Sequence, residues 1–184
     1  MNLYILRHAS AGTRRANPVL DLKRPLDKEG KEQCLRLAHV LNAMKVSFDA
    51  VYSSPLKRSL QTAQLVATET GYEPRIVSSV ALAPEARFAD FMELVHQAND
   101  FESVLVVGHN PNLQHFLGCL LVGPRKEDKG ASAAPPQIRL RKGSLARVSL
   151  ESGPGTLTTL LDPRIVRMLY ATSTTKSRPK TSRK

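Results

Sequence analysis

Two short, wholly apolar runs constrain this chain more than any other feature. Leu3–Leu6 is broken off by Arg7-His8-Ala9-Ser10, and Val104–Val107 by Gly108-His109-Asn110-Pro111. A continuous apolar run of this length reads as a strand buried on both faces, which needs helices on both sides of its sheet. A third run, Phe48 to Tyr52, ends in Ser53-Ser54-Pro55. Helical patterns fill the intervals. One starts at Asp27, a natural cap, and carries Leu37, Ala38, Leu41 and Met44 near 3.6-residue spacing. A second starts with Ser54 as cap and Pro55 at its first position, and stops at Gly71. Others cover Ala89 to Ala98 and the stretch after Pro111 to Leu121. Strands alternating with helices predict a single-domain, three-layer α/β/α fold whose central sheet is mostly parallel.

The remaining segments are weaker signals. Ile76 and Val77 suggest a short strand. Residues 9–25 are polar, broken by Pro18 and Pro25, and read as a loop, as does 123–137. Leu145 to Leu150 and Thr156 to Leu161, joined by Ser152-Gly153-Pro154-Gly155, read as a hairpin. A short helix from Pro163 to Tyr170 closes a domain placed at 1–171. The basic stretch 172–184 has too little apolar surface to fold.

The chain of 184 residues carries a net charge of +11, a balance that invites a nucleic-acid reading. The distribution argues against it. Residues 172–184 hold +5 and residues 123–142 hold +4, which leaves +2 for everything else. Aromatic residues are 5% of the chain and Trp is absent, so stacking platforms are scarce. Nucleic acid is expected at most weakly, through the tail. No apolar run reaches the roughly 18 residues of a membrane span, and the first apolar run is cut off at once by Arg7-His8. Two cysteines, Cys34 and Cys119, make no disulfide framework. The expected setting is the cytoplasm, and the expected state a monomer.

In open α/β sheets ligands bind beyond the carboxyl ends of the strands. Three loops fall there, and they bring Arg7 and His8, Arg58, and His109. Two guanidinium groups, two imidazoles and two helix N-termini suit a tetrahedral oxyanion, so the expected ligand is a phosphoryl group. With no Cys or Ser in a phosphate-loop setting, the nucleophile is an imidazole, which attacks phosphorus only when neutral. The neighbouring arginines disfavour the imidazolium and keep His8 available. His109 would donate to a phosphate oxygen. A Zn site on His8 and His109 lacks a third ligand at a recognisable spacing, and the arginines oppose it; neither metal nor cofactor is expected. His39, His96 and His115 lie in helical patterns and default to surface or core-edge roles.

These residues resemble the histidine phosphatase superfamily. The resemblance rests on Arg7-His8-Ala9, on Ser53-Ser54-Pro55-Leu56-Lys57-Arg58 with Gln61-Thr62-Ala63, and on Gly108-His109-Asn110-Pro111. Arg24-Pro25-Leu26 and Arg141-Lys142-Gly143-Ser144-Leu145-Ala146 look like its SixA-type phosphohistidine phosphatases. The resemblance covers about residues 1–170 and implies a phosphoglycerate mutase-like fold. It makes His8 the phosphorylated nucleophile, Arg7 and Arg58 phosphate ligands, His109 part of the phosphate pocket, and Arg24 a contact at its rim. The bland reading of Arg24 is a salt bridge near the next helix. Ala9 stands where the family has Gly, which is tolerable at negative φ. Mutase-like relatives use a Glu as general acid, and Glu85 is the nearest candidate, with Asp90 weaker. SixA-type enzymes generally lack this acid, since imidazole leaves a phosphoramidate more readily than an alkoxide leaves an ester.

The expected function is therefore a phosphatase acting on phosphohistidine borne by another protein. A small-molecule phosphomonoesterase or pyrophosphatase using Glu85 is the enzymatic alternative. A basic anion- or nucleic-acid-binding protein is the non-enzymatic one.

Overall fold

The computed structural model describes residues 1–123, 135–151 and 153–175, with side chains omitted for 172–175. Its strands are β1 (Asn2–Arg7), β2 (Ala50–Ser53), β3 (Val77–Ser78), β4 (Ser103–Gly108), β5 (Leu145–Ser149) and β6 (Thr156–Leu161). Its helices are α1 (Pro18–Leu22), α2 (Lys28–Ala43), α3 (Lys57–Glu69), α4 (Phe88–Gln97), α5 (Asn112–Val122) and α6 (Pro163–Thr175), with a 3₁₀ turn at Val80–Leu82. The six strands form one sheet in the order β3-β2-β4-β1-β5-β6. The first four run parallel, while β5 and β6 pair antiparallel.

Alternation along the two central strands divides the core into two faces. Leu3, Ile5, Val104 and Val106 pack with Phe91 of α4 and with Leu113, Phe116 and Leu117 of α5. Tyr4, Leu6, Leu105 and Val107 pack with Leu37 and Leu41 of α2, Val66 of α3 and Val166 of α6. Burial on both faces is why these runs carry no polar residue. The result is the three-layer arrangement read from the sequence.

Several boundaries differ from expectation. Residues 9–25 are not all loop: Pro18 opens α1 instead of breaking structure, because Asn17 caps it by accepting from the amides of Val19 and Leu20. Asp27 does cap α2, accepting from the Gly30 amide. Ser54, however, does not serve as the cap of α3. The helix starts at Lys57, its N-cap position is Leu56, and no side chain caps it. Helix α6 continues past Tyr170 to Thr175, its inner side anchored by buried Val166 and by Tyr170 set edge-on against His39. The expectation of an unfolded tail falls, beyond Thr175, outside the described residues, as does most of the predicted loop at 123–137. Among the described residues, no helix is long and apolar enough to cross a membrane.

Candidate active site

The parallel strands deliver the site residues to one end of the sheet. β1 and β4 are in register with Arg7 beside Gly108, so His8 and His109 leave the sheet side by side. The His8 amide donates to the Gly108 carbonyl (3.0 Å), and the two imidazole centroids stand 5.0 Å apart. Both rings are buried, at 6% and 3% exposure. The loop after His8 is pinned from two directions. Thr62 of α3 accepts from the Ala9 amide at 3.1 Å. Asp27 accepts from the Ser10 hydroxyl (2.8 Å) and the Gly12 amide (2.7 Å). Ala9 is buried, and among the described non-glycine residues only Lys45 has positive φ, so the methyl group in place of Gly costs no backbone strain.

The hydrogen bonds assign the His8 tautomer. Nδ1 lies 2.8 Å from the Ala9 carbonyl, which can only accept, so Nδ1 carries the proton and Nε2 keeps its lone pair. Burial, followed by the charges of Arg58, Arg7 and Lys142, pushes the imidazole down to a pKa of about 3, against the opposing bond to Ala9. His109 is pushed down to about 2 by burial first, then by His8, Arg58, Arg7 and Arg24. Both rings are neutral at physiological pH.

His109 Nε2 meets two hydroxyls, Ser54 Oγ at 2.8 Å and Ser59 Oγ at 3.2 Å. Its Nδ1 is buried without a hydrogen-bond partner among the described residues. Ser54 and Ser59 are therefore positioning groups that the sequence reading missed, having assigned Ser54 to a helix cap. The only signal was their position in the loop and first turn that also carry Arg58.

The two arginines are anchored at one end and open at the other. Arg7 donates from Nη1 to the Leu140 carbonyl (2.9 Å), Arg58 from Nη1 to the backbone and carboxylate oxygens of Asp21 (3.0 and 3.3 Å). Among the described residues, the Nε of each is buried with no hydrogen-bond partner. Buried charged donors left without an acceptor are costly unless a ligand completes them.

Asp21 is the other residue missed by sequence reasoning, which treated its segment as loop. It accepts from Arg58 and, at 2.9 Å, from Arg24 Nε, so one carboxylate tethers both guanidinium groups. Arg24 also donates to the carbonyls of Ala11 and Gly12 (2.7 and 3.1 Å). It stands at the edge of the site, tied to α1 and to the loop after His8. Its salt bridge is made to the preceding short helix, not the following one.

Glu85 lies exposed on the turn between the 3₁₀ segment and α4, and among the described residues it makes no hydrogen bond or ion pair. The turn itself is held near the site by Asn112 Nδ2, which donates to the carbonyls of Pro84 and Ala86 at 2.8 Å. Asp90 is engaged elsewhere, closing the start of α4 with Arg87. Among the described residues, no three His, Cys, Asp or Glu side chains group as a metal site. Cys34 is buried, and burial pushes its thiol up to about 12, which disfavours the thiolate.

The chain has known relatives. Residues 3–82 match the profile of the histidine phosphatase superfamily (branch 1). The phosphohistidine phosphatase SixA of Escherichia coli (strain K12) is 30% identical over 178 residues, 93% of this chain and 99% of that protein. An uncharacterized protein of Picosynechococcus sp. is 31% identical over 126 residues, 67% of this chain and 74% of its own length. Among solved structures, the protein histidine phosphatase SixA complexed with tungstate superposes with a TM-score of 0.73 at 25% identity, over 90% of this chain and 99% of that one. The chain belongs to the histidine phosphatase superfamily, a class of phosphatases. Within that class its relatives place it in the SixA-type branch.

Proposed function

We propose that this chain removes the phosphoryl group from phosphohistidine carried on another protein, through a covalent phospho-His8 intermediate. The observation that carries the reading is the His8 tautomer: Nδ1–H is committed to the Ala9 carbonyl, so Nε2 is the nucleophilic nitrogen. The Nε2 lone pair attacks phosphorus while the phosphorus–nitrogen bond to the substrate imidazole breaks. That imidazole leaves with a proton from solvent. Water then attacks phosphorus, the bond to Nε2 breaks, and phosphate departs with His8 neutral again.

Arg7 and Arg58 hold the equatorial oxygens from the Nε side of each guanidinium, where no described residue accepts, and His109 donates from Nδ1. Its Nε2 then accepts from a serine hydroxyl, which fixes that tautomer. Arg24 contacts the phosphoryl group at the rim. The guanidinium charges take the part a metal ion plays in other phosphatases, so no metal is required. Tungstate, bound by the SixA relative, is a tetrahedral oxyanion of the geometry this donor set suits. The good imidazole leaving group makes a general acid unnecessary, in keeping with an exposed, unengaged Glu85. Residues 1–171 carry the activity, in a monomer, and 172–184 are an accessory.

The test is to quench turnover of a phosphohistidine protein and look for acid-labile, alkali-stable phosphate on the enzyme. Label on His8 is expected, with none in His8→Ala. Full hydrolysis by His8→Ala would overturn the mechanism. Glu85→Gln is expected to leave phosphohistidine hydrolysis within about twofold; a loss approaching the 10²-fold scale of general acid catalysis would favour the ester-hydrolysing alternative.

A further inference from the structure

A second feature adjoins the phosphoryl pocket. A groove of about 650 Å³ starts at Arg7 and runs between the 137–142 segment, α5 and the start of α6. Arg139, Arg141, Lys142 and Arg164 line it, together with the amides Gln33, Gln114 and Gln137. It is continuous with the site because Leu140 is shared. The Leu140 carbonyl accepts from Arg7 Nη1 and, at 2.8 Å, from Asn110 Nδ2, which seats buried Leu140 inward and leaves Arg139 exposed.

The charge in this groove is incompletely balanced. Asp162 pairs with both Arg141 (3.2 Å) and Arg164 (3.2 Å), so one carboxylate serves two guanidinium groups. Lys142 is near enough to Asp27 to favour its ionised form, but among the described residues it makes no ion pair, and neither does Arg139. None of this cationic surplus is needed to grip a single phosphoryl group, for which Arg7 and Arg58 already supply donors.

We propose that this groove docks an acidic segment of the protein that carries the phosphohistidine, with Arg139 and Arg164 pairing with its carboxylates. The proposal rests on the phosphohistidine reading above and names the partner's surface chemistry. Two observations favour a peptide segment over a small polyanion. The groove's cations outside Arg7 are spread along it on partly exposed side chains, whereas a compact phosphate is held by converging, buried donors. The three glutamines interleaved with them offer both donors and acceptors, as a peptide backbone requires and a phosphate does not.

The probes are peptides with one chemically phosphorylated histidine, flanked by aspartates, by glutamines or by lysines. At low salt the aspartate peptide is expected to show kcat/KM about tenfold above the glutamine peptide, with the lysine peptide below both. The advantage shrinks as ionic strength rises from roughly 0.02 to 0.3 M, because exposed pairs are screened. In Arg139→Gln/Arg164→Gln it falls to within about twofold, while turnover of p-nitrophenyl phosphate is unchanged. Equal kcat/KM on all three peptides, or a preference untouched by the double variant, overturns the proposal. So does inorganic pyrophosphate outcompeting every peptide with the same dependence on Arg139 and Arg164, which would assign the groove to a small polyanion. Anisotropy of a fluorescent, unphosphorylated aspartate peptide reads the groove separately. Binding weakened by the double variant with no phosphopeptide hydrolysed keeps the groove and sinks the phosphohistidine reading; absent binding sinks the groove.

Discussion

The two halves of the sheet are built differently. In the parallel half, β1 and β4 are buried along almost their whole length, and the turns after them hold buried His8 and His109. In the antiparallel half, β6 alternates between exposed and half-buried positions, and the basic groove runs along the segment that enters β5. Chemistry that depends on desolvated, neutral imidazoles and unshared guanidinium donors belongs where two packed faces exclude water. Recognition of a large partner belongs where side chains can reach solvent. The difference between the halves teaches how burial would divide labour under the proposed function: one half would hold the reacting group, and the other would present the surface around it.

That contrast can be tested by stability first. Leu105→Ala empties a fully buried site on β4 and is expected to cost about 3–5 kcal/mol, read by chemical denaturation. Leu160→Ala on β6, where the side chain is 42% exposed, is expected to cost less than about 1 kcal/mol. Equal losses would erase the distinction between the halves.

Gly30→Ala sharpens it from the helix layer. By intrinsic propensity, Ala in the helix should stabilise by about 1 kcal/mol. A methyl group at Gly30 of α2 would fall 1.9 Å from the Ser10 carbonyl oxygen, however, so the loop after His8 or the helix must shift. We expect a net loss of about 1–3 kcal/mol, the scale of overpacking, together with lower kcat. A rise in melting temperature with full activity would show that this loop is not held as described.

The histidine pair makes a pH prediction. Both folded pKa values lie below the ordinary imidazole value, so the unfolded chain binds more protons between them. The penalty is absent above about pH 6.5 and grows as pH falls toward about 3, by up to ~1.4 kcal/mol per pH unit for each ring. His109→Asn should flatten this acid limb by one proton's worth of slope. An unchanged slope would mean that His109 titrates alike in both states. For turnover, the same shift predicts no loss of kcat/KM attributable to His8 protonation between pH 5 and 7 on a substrate that does not itself titrate there.

The smallest expected effect lies in the antiparallel half. Arg141→Gln breaks a partly exposed pair with Asp162, which Arg164 still satisfies, and should change stability by less than about 1 kcal/mol. A larger loss would show that this pair braces the groove and is not merely part of its surface.

Much of this architecture was legible because its cause is local. Four apolar residues in a row cannot alternate in and out of water, so Leu3–Leu6 and Val104–Val107 announced doubly buried strands, and the residues just beyond them announced the site. Asp27 was read correctly as a cap because the helix amide it accepts from, that of Gly30, lies only three residues on. Ser54 was misread for the same reason: Ser-Pro is a local start signal, while the imidazole that takes its hydroxyl comes from 55 positions away. Asp21 escaped notice because nothing near it in sequence shows that Arg58 will lie alongside. The short helix that carries it buries no residue, and its apolar Val19, Leu20 and Leu22 are all exposed, so no amphipathic pattern marked it.

The sequence by itself determined the layered α/β class and the family and named the candidate site residues, since these follow from hydrophobic runs and from motifs a few residues long. The net charge of +11 was also plain, but not its use. Only the tertiary structure decided which nitrogen of His8 holds the proton, which hydroxyls hold His109, and which of the many cations line one groove beside Arg7. Those facts depend on hydrogen bonds and fields that act across a few ångströms between residues far apart in the chain, and packing alone sets those distances.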